Sequence, residues 1–189
     1  LLANMDLDNL NFGQEHWNPL NQLVKKGSHV VIKPNLVYDD HPIGQEGVEA
    51  MVTHASVVRP LIDYILLASQ GDVKITICDV PLQTTNWEKL IEKSGFRDLV
   101  NYYHCQGVEI HLRDLRFEIS LKNREGLITK RDYKERDPLG YRVVDLKDRS
   151  AFQPIIRDSS KLEITDYGPG TVSKHHNDLK NEYLVSGTV

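Results

Sequence analysis

Ser28-His29-Val30-Val31-Ile32-Lys33-Pro34-Asn35 is a short apolar run held between Lys26-Gly27 and Pro34. A run of this length, rich in β-branched side chains and closed by a breaker at each end, suits a buried strand and is too short for a helix. Downstream, Val57, Val58, Leu61, Ile62, Ile65 and Leu66 share one helical face over 55–69, with Thr53 placed to cap it. Pro60 lies inside that helix, where its missing N–H costs about 3 kcal/mol unless the helix starts late or kinks. Val73, Ile75 and Ile77 then alternate across Asp72–Asp79, and Pro81 ends this second strand. Trp87, Leu90 and Ile91, and after Gly95 Phe96, Leu99, Val100 and Tyr103, predict two short helices; Gly107 closes them before a third strand, Val108–Leu112. Right-handed crossovers between parallel strands make this βαβαβ order an α/β fold. The expectation is a three-layer, mostly parallel sheet, half of a doubly wound arrangement covered on both faces.

Beyond Leu112 the texture changes, with 19 of the 37 residues over 113–149 charged. Phe117–Leu121 and Leu127–Thr129 flank Asn123-Arg124-Glu125-Gly126, which predicts a solvated antiparallel hairpin insert. Tyr141–Leu146 reads as another strand and Leu162–Ile164 as a short one. The organisation is thus one α/β domain over 1–189, with its core at about 28–112 and the insert at about 113–149. The start at Leu1 without a methionine, and the apolar end Tyr183–Val189, suggest a chain incomplete at both ends.

The 189 residues are 40% hydrophobic and 26% charged, which excludes disorder, collagen and coiled coil. The longest aliphatic stretch, Ile65–Ala68, is far below the ~20 residues of a membrane span. No signal peptide is legible, and a cytoplasmic location is expected. A net charge of -4 argues against nucleic acid and anionic membrane as partners. Cys78 and Cys105 offer neither a disulfide framework nor a zinc knuckle and are expected to be reduced core residues. No dinucleotide fingerprint or phosphate loop follows the first strand. Tyr167–Thr171 reads as a turn, Asp39-Asp40-His41 as exposed, and Lys174-His175-His176 as a solvated pair, so no metal site is assigned. No cofactor or oligomeric state is legible.

Ligands of open α/β sheets bind beyond the carboxyl ends of the strands, which singles out Lys33, Asn35 and Asp79. The nineteen residues from Pro34 to Val52 exceed the usual length of such a connection and read as a lid or a surface insertion. They deliver Thr53 and His54 to a helix start, where free N–H groups favour an anion. The expected roles are Lys33, Asn35 and Thr53 as ligand-binding residues and Asp79 and His54 as catalytic ones. The plainer alternative makes Lys33 and Asp79 an ion pair and Thr53 a simple cap.

In order along the chain, Val30–Asn35, Thr53-His54-Ala55-Ser56-Val57-Val58-Arg59 and Thr76–Pro81 resemble the family catalogued as domain of unknown function 362. Phe12-Gly13, Trp17-Asn18-Pro19, Lys174–Asn177 and Tyr183 extend the resemblance, although Ala55 stands where the family usually has proline. The resemblance implies a shared α/β fold and a site at Lys33, Asn35, Thr53, His54 and Asp79. Some members carry an iron–sulfur module. Three functions follow as expectations: an enzyme, or part of one, acting on a small anionic metabolite; a redox accessory protein; or a non-catalytic ligand-binding or assembly module.

Overall fold

The computed structural model describes residues 2–149 and 182–189. Three parallel strands form its centre: β1 (Ser28–Ile32), β2 (Val73–Asp79) and β3 (Ile110–Asp114), in the spatial order β1-β2-β3. Between them run α1 (Gln45–Met51), α2 (Ala55–Ser69), α3 (Trp87–Lys93) and α4 (Phe96–His104). The βαβαβ reading holds, with β3 displaced two residues towards the C-terminus.

Register decides which side chains meet the helices. Val30 aligns with Ile75 and Ile110, and Ile32 with Ile77 and Leu112, so these six share one face. They join Val58, Ile62 and Ile65 of α2, Leu90 and Ile91 of α3, and Phe96, Leu99 and Tyr103 of α4 in a single core. Both crossovers step the same way along the sheet, and α2 and the α3–α4 pair therefore lie on the same side. Helical cover of both faces, expected from a doubly wound arrangement, is not what the described residues build. On the opposite face Val31, Thr76 and His111 align, with His29 Nε2 2.9 Å from Thr76 Oγ1. Pro138, Leu139 and Thr188 close a pocket of ≈ 270 Å³ there.

The insert carries the expected antiparallel hairpin, although Arg116, Glu118 and Ser120 in it are buried. β4 (Glu118–Lys122) pairs antiparallel with β5 (Ile128–Tyr133), whose six residues are all exposed. Asn123 Oδ1 accepts the N–H groups of Glu125 and Leu127 to form the turn. β6 (Tyr141–Asp145) pairs antiparallel with β7 (Glu182–Ser186). Asp137 is buried where they meet, accepting from Leu139 N–H at 2.8 Å and Thr188 Oγ1 at 2.5 Å, and from the Ser186 hydroxyl. The expected strand Leu162–Ile164, the turn Tyr167–Thr171 and the pair His175-His176 lie outside the described residues.

Three local expectations are corrected. The 34–52 connection is not a structureless loop: it contains α1 and closes with an antiparallel bridge between Leu36 and Val52. Asp39 is buried, accepting from Asn86 N–H at 2.8 Å, because it anchors that connection to the start of α3. Cys105 is exposed, since it stands at the C-terminal cap of α4. Among the described residues, no helix is long and apolar enough to cross a membrane.

Candidate functional site

β1 ends at Ile32, and Lys33-Pro34-Asn35 carry the chain off the carboxyl end of the sheet. Lys33 Nζ stands 2.7 Å from Asp79 Oδ1, tying the ends of adjacent strands together. Asp79 is 4% exposed. Its Oδ1 also accepts Val80 N–H at 2.8 Å, and its Oδ2 accepts Leu36 N–H at 2.6 Å. A buried carboxylate persists when its lone pairs are met in this way, and here three donors meet them. Lys33 keeps 47% of its side chain exposed. Among the described residues, its ammonium reaches beyond Asp79 only the Pro34 carbonyl, at 3.4 Å, so of three donors one is well used there.

Asn35 and Thr53 are locked backbone to backbone and backbone to side chain. Thr53 N–H donates to Asn35 O at 2.7 Å, and Asn35 N–H donates to Thr53 Oγ1 at 3.0 Å. That second bond occupies the hydroxyl, so Thr53 does not cap α2 as expected. The cap moves one residue on: His54 Nδ1 accepts Ser56 N–H at 3.3 Å and lies 2.9 Å from Ser56 Oγ. The other side of the imidazole faces Gly95, where a Cβ would stand 3.1 Å from Nε2. The Asn35 side-chain amide is exposed and makes no hydrogen bond among the described residues.

Lys33, Asn35 and Thr53 form the polar end of a groove of ≈ 800 Å³. Its remaining walls are chiefly Phe12 and Trp17 from the N-terminal segment and Pro60, Leu61 and Tyr64 from α2. Trp17 packs edge-on between two rings, 5.2 Å from Phe12 and 5.3 Å from Tyr64 by centroid. Its indole N–H is used within the segment, on Leu7 O at 3.3 Å. Asp8 holds the same segment by accepting Asn18 N–H at 2.8 Å. Three of the five expected residues thus line one concavity. Asp79 reaches it only through Lys33, and His54 does not line it.

Phe12, Trp17, Pro60 and Tyr64 were given no site role from sequence. Pro60 carried the one usable signal, a local misfit inside an otherwise regular helix. Phe12 and Trp17 extend the family resemblance but give no hint of a groove, because Trp17 and Tyr64 are 47 positions apart and meet only when the N-terminal segment folds back over α2.

The family model described as "Domain of unknown function (DUF362)" matches residues 30–138. The chain belongs to this family. The DUF362 region takes in β1 to the end of the hairpin and so contains Lys33, Asn35, Thr53, His54 and Asp79, whereas Phe12 and Trp17 precede it. Comparison with curated proteins and with solved structures finds no match. Elsewhere in the DUF362 region, burial and then the neighbouring Asp79 carboxylate push the Cys78 thiol up to about 11. Among the described residues, no group of three or more His, Cys, Asp or Glu is placed to hold a metal ion.

Proposed function

We propose that this DUF362 chain binds a small anionic metabolite in the groove at the carboxyl end of β1, with Lys33, Asn35 and Thr53 at the charged end. The observation that carries this reading is a half-exposed ammonium beside an amide with no hydrogen bond among the described residues, both lining one groove. Asp79 acts here as a positioning residue: it aims the ammonium while three donors hold it in place. An enzyme using Asp79 or His54 for proton transfer is the second reading. The groove favours it less, because three donors hold the Asp79 carboxylate and His54 does not line the groove. A cytoplasmic, reducing setting is part of the proposal and is supported by two unpaired thiols.

The test is a titration of the protein with sodium acetate and with inorganic phosphate at constant ionic strength, followed by amide chemical shifts. Binding is expected to move the signals of Asn35 and Thr53. Asn35→Ala should weaken it several-fold without loss of stability, since that side chain holds nothing else, and Lys33→Arg should retain it. Shifts spread evenly over the surface, or an unchanged affinity in Asn35→Ala, would remove the site.

A further inference from the structure

We infer that the ligand of this groove carries a flat ring beside its charge, an aromatic carboxylate or phosphate rather than a simple anion. The inference rests on the reading that the polar end takes the anion. It is drawn from the rest of the lining, which is far more apolar than a bare anion requires.

Phe12 and Tyr64 flank Trp17 at edge-to-face distances, and with Leu61 and Pro60 they add aromatic and aliphatic surface to the groove that Lys33 lines. The Trp17 indole N–H is already spent on Leu7 O, so the indole offers the groove apolar ring surface rather than a donor. Phe12 remains 58% exposed, a large apolar surface with nothing over it among the described residues. Offset and edge-on packing against such rings favours a flat partner over a branched aliphatic one.

Pro60 supplies an independent argument. A proline six residues into a fifteen-residue helix forfeits the backbone bond to the Ser56 carbonyl, a cost that local sequence choice avoids in helix interiors. Departures of this kind tend to sit at functional positions, and Pro60 faces the groove, where its rigid ring forms part of the wall. No other property of α2 calls for it, since Pro60 is exposed and takes no part in the core.

The experiment compares three probes by amide chemical shifts: acetate, phenylacetate and benzyl alcohol. Phenylacetate is expected to bind at least about tenfold more tightly than acetate, the gain from burying a ring, and to shift the Trp17 indole signal as well as Thr53. Benzyl alcohol should bind more weakly than phenylacetate. Tyr64→Leu and Pro60→Ala should each reduce the preference for phenylacetate over acetate, read as the ratio of the two affinities in each protein. Pro60→Ala also restores a helix N–H, so the fold is expected to survive it. Equal affinity for acetate and phenylacetate would overturn the ring inference and leave the anion reading standing. Equal affinity for phenylacetate and benzyl alcohol would overturn the anion reading and leave the ring wall standing. Absence of shifts with all three would overturn both.

Discussion

At the scale of single residues, Asp79 shows how a strand-end carboxylate gathers donors. Asp79 is acidic and stands at a strand end, the features that make it a candidate catalyst, while a pairing with Lys33 is the plainer alternative. The same features let it gather Lys33, Leu36 N–H and Val80 N–H. Sequence places a carboxylate at that point but leaves open how many donors will surround it. Cys78 and Cys105 differ for a related reason: one lies in the middle strand beside Asp79, and the other at an exposed helix end. With its thiol held up at about 11, Cys78 should resist iodoacetamide at pH 8 while Cys105 reacts, and mass mapping after brief alkylation should find label on Cys105 alone. Asp137 makes a pH prediction. Burial alone would raise it, but hydrogen bonds from Ser186, Thr188 and Leu139 outweigh burial and hold it below its ordinary 3.8. A depressed carboxylate contributes stability that is fully present above its unfolded value and lost as pH falls through the folded one. Urea midpoints should therefore drop as the pH falls below about 3.8, and Asp137→Asn should flatten that acid limb. Equal slopes in the two proteins would show that other groups control it.

At the scale of elements, α2 shows what periodicity does and does not determine. Its apolar stripe was legible, and the helix spans Ala55–Ser69 as read. Its cap was not, because the Thr53 hydroxyl serves Asn35 across an 18-residue separation. The resulting His54 cap leans on Gly95, a positive-φ residue (77°) at the start of α4. Gly95→Ala meets two obstacles, the left-handed backbone and a Cβ 3.1 Å from the imidazole. It should lower stability by about 1–2 kcal/mol, read from urea midpoints, by the penalty for a side chain in that conformation. An unchanged midpoint would mean that the ring moves freely and that the His54 cap contributes little. The connection from Pro34 to Val52 shows the complementary failure of reading. α1 has seven residues and buries only Gly47 and Val48, too short a stripe to be seen as periodicity.

At the scale of the whole molecule, the least legible residue is Arg116. Charge density placed it in a solvated insert, yet it is 1% exposed. Its guanidinium pairs with Asp114 at 2.6 Å and donates to the carbonyls of Leu82, Gln83 and Thr85 at 2.8–3.1 Å. It thereby fastens the loop after β2 to the end of β3, immediately before the hairpin. Removing one partner of a buried ion pair costs about 3–5 kcal/mol, so Arg116→Ala should be severely destabilised in urea. Arg116→Lys should recover little of this, because a point-like ammonium does not span a carboxylate and three carbonyls at once. Recovery by lysine to near the original midpoint would refute the fork geometry.

The amino-acid sequence by itself determined the order of elements, the parallel sheet, the antiparallel hairpin, and the meeting of Lys33, Asn35 and Thr53, three of the five residues expected to converge. All of these follow from local periodicity, breakers and the chirality of crossovers, which act within one βαβ unit. Only the tertiary structure decided that Asp79 takes three donors, that His54 rather than Thr53 caps α2, that Arg116 is buried, and that Phe12, Trp17 and Tyr64 wall the groove. Each depends on a contact between segments far apart in the chain, where the identity of the partner is set by packing and by the need to satisfy buried polar groups. Pattern along the chain carries the first kind of information and is silent on the second.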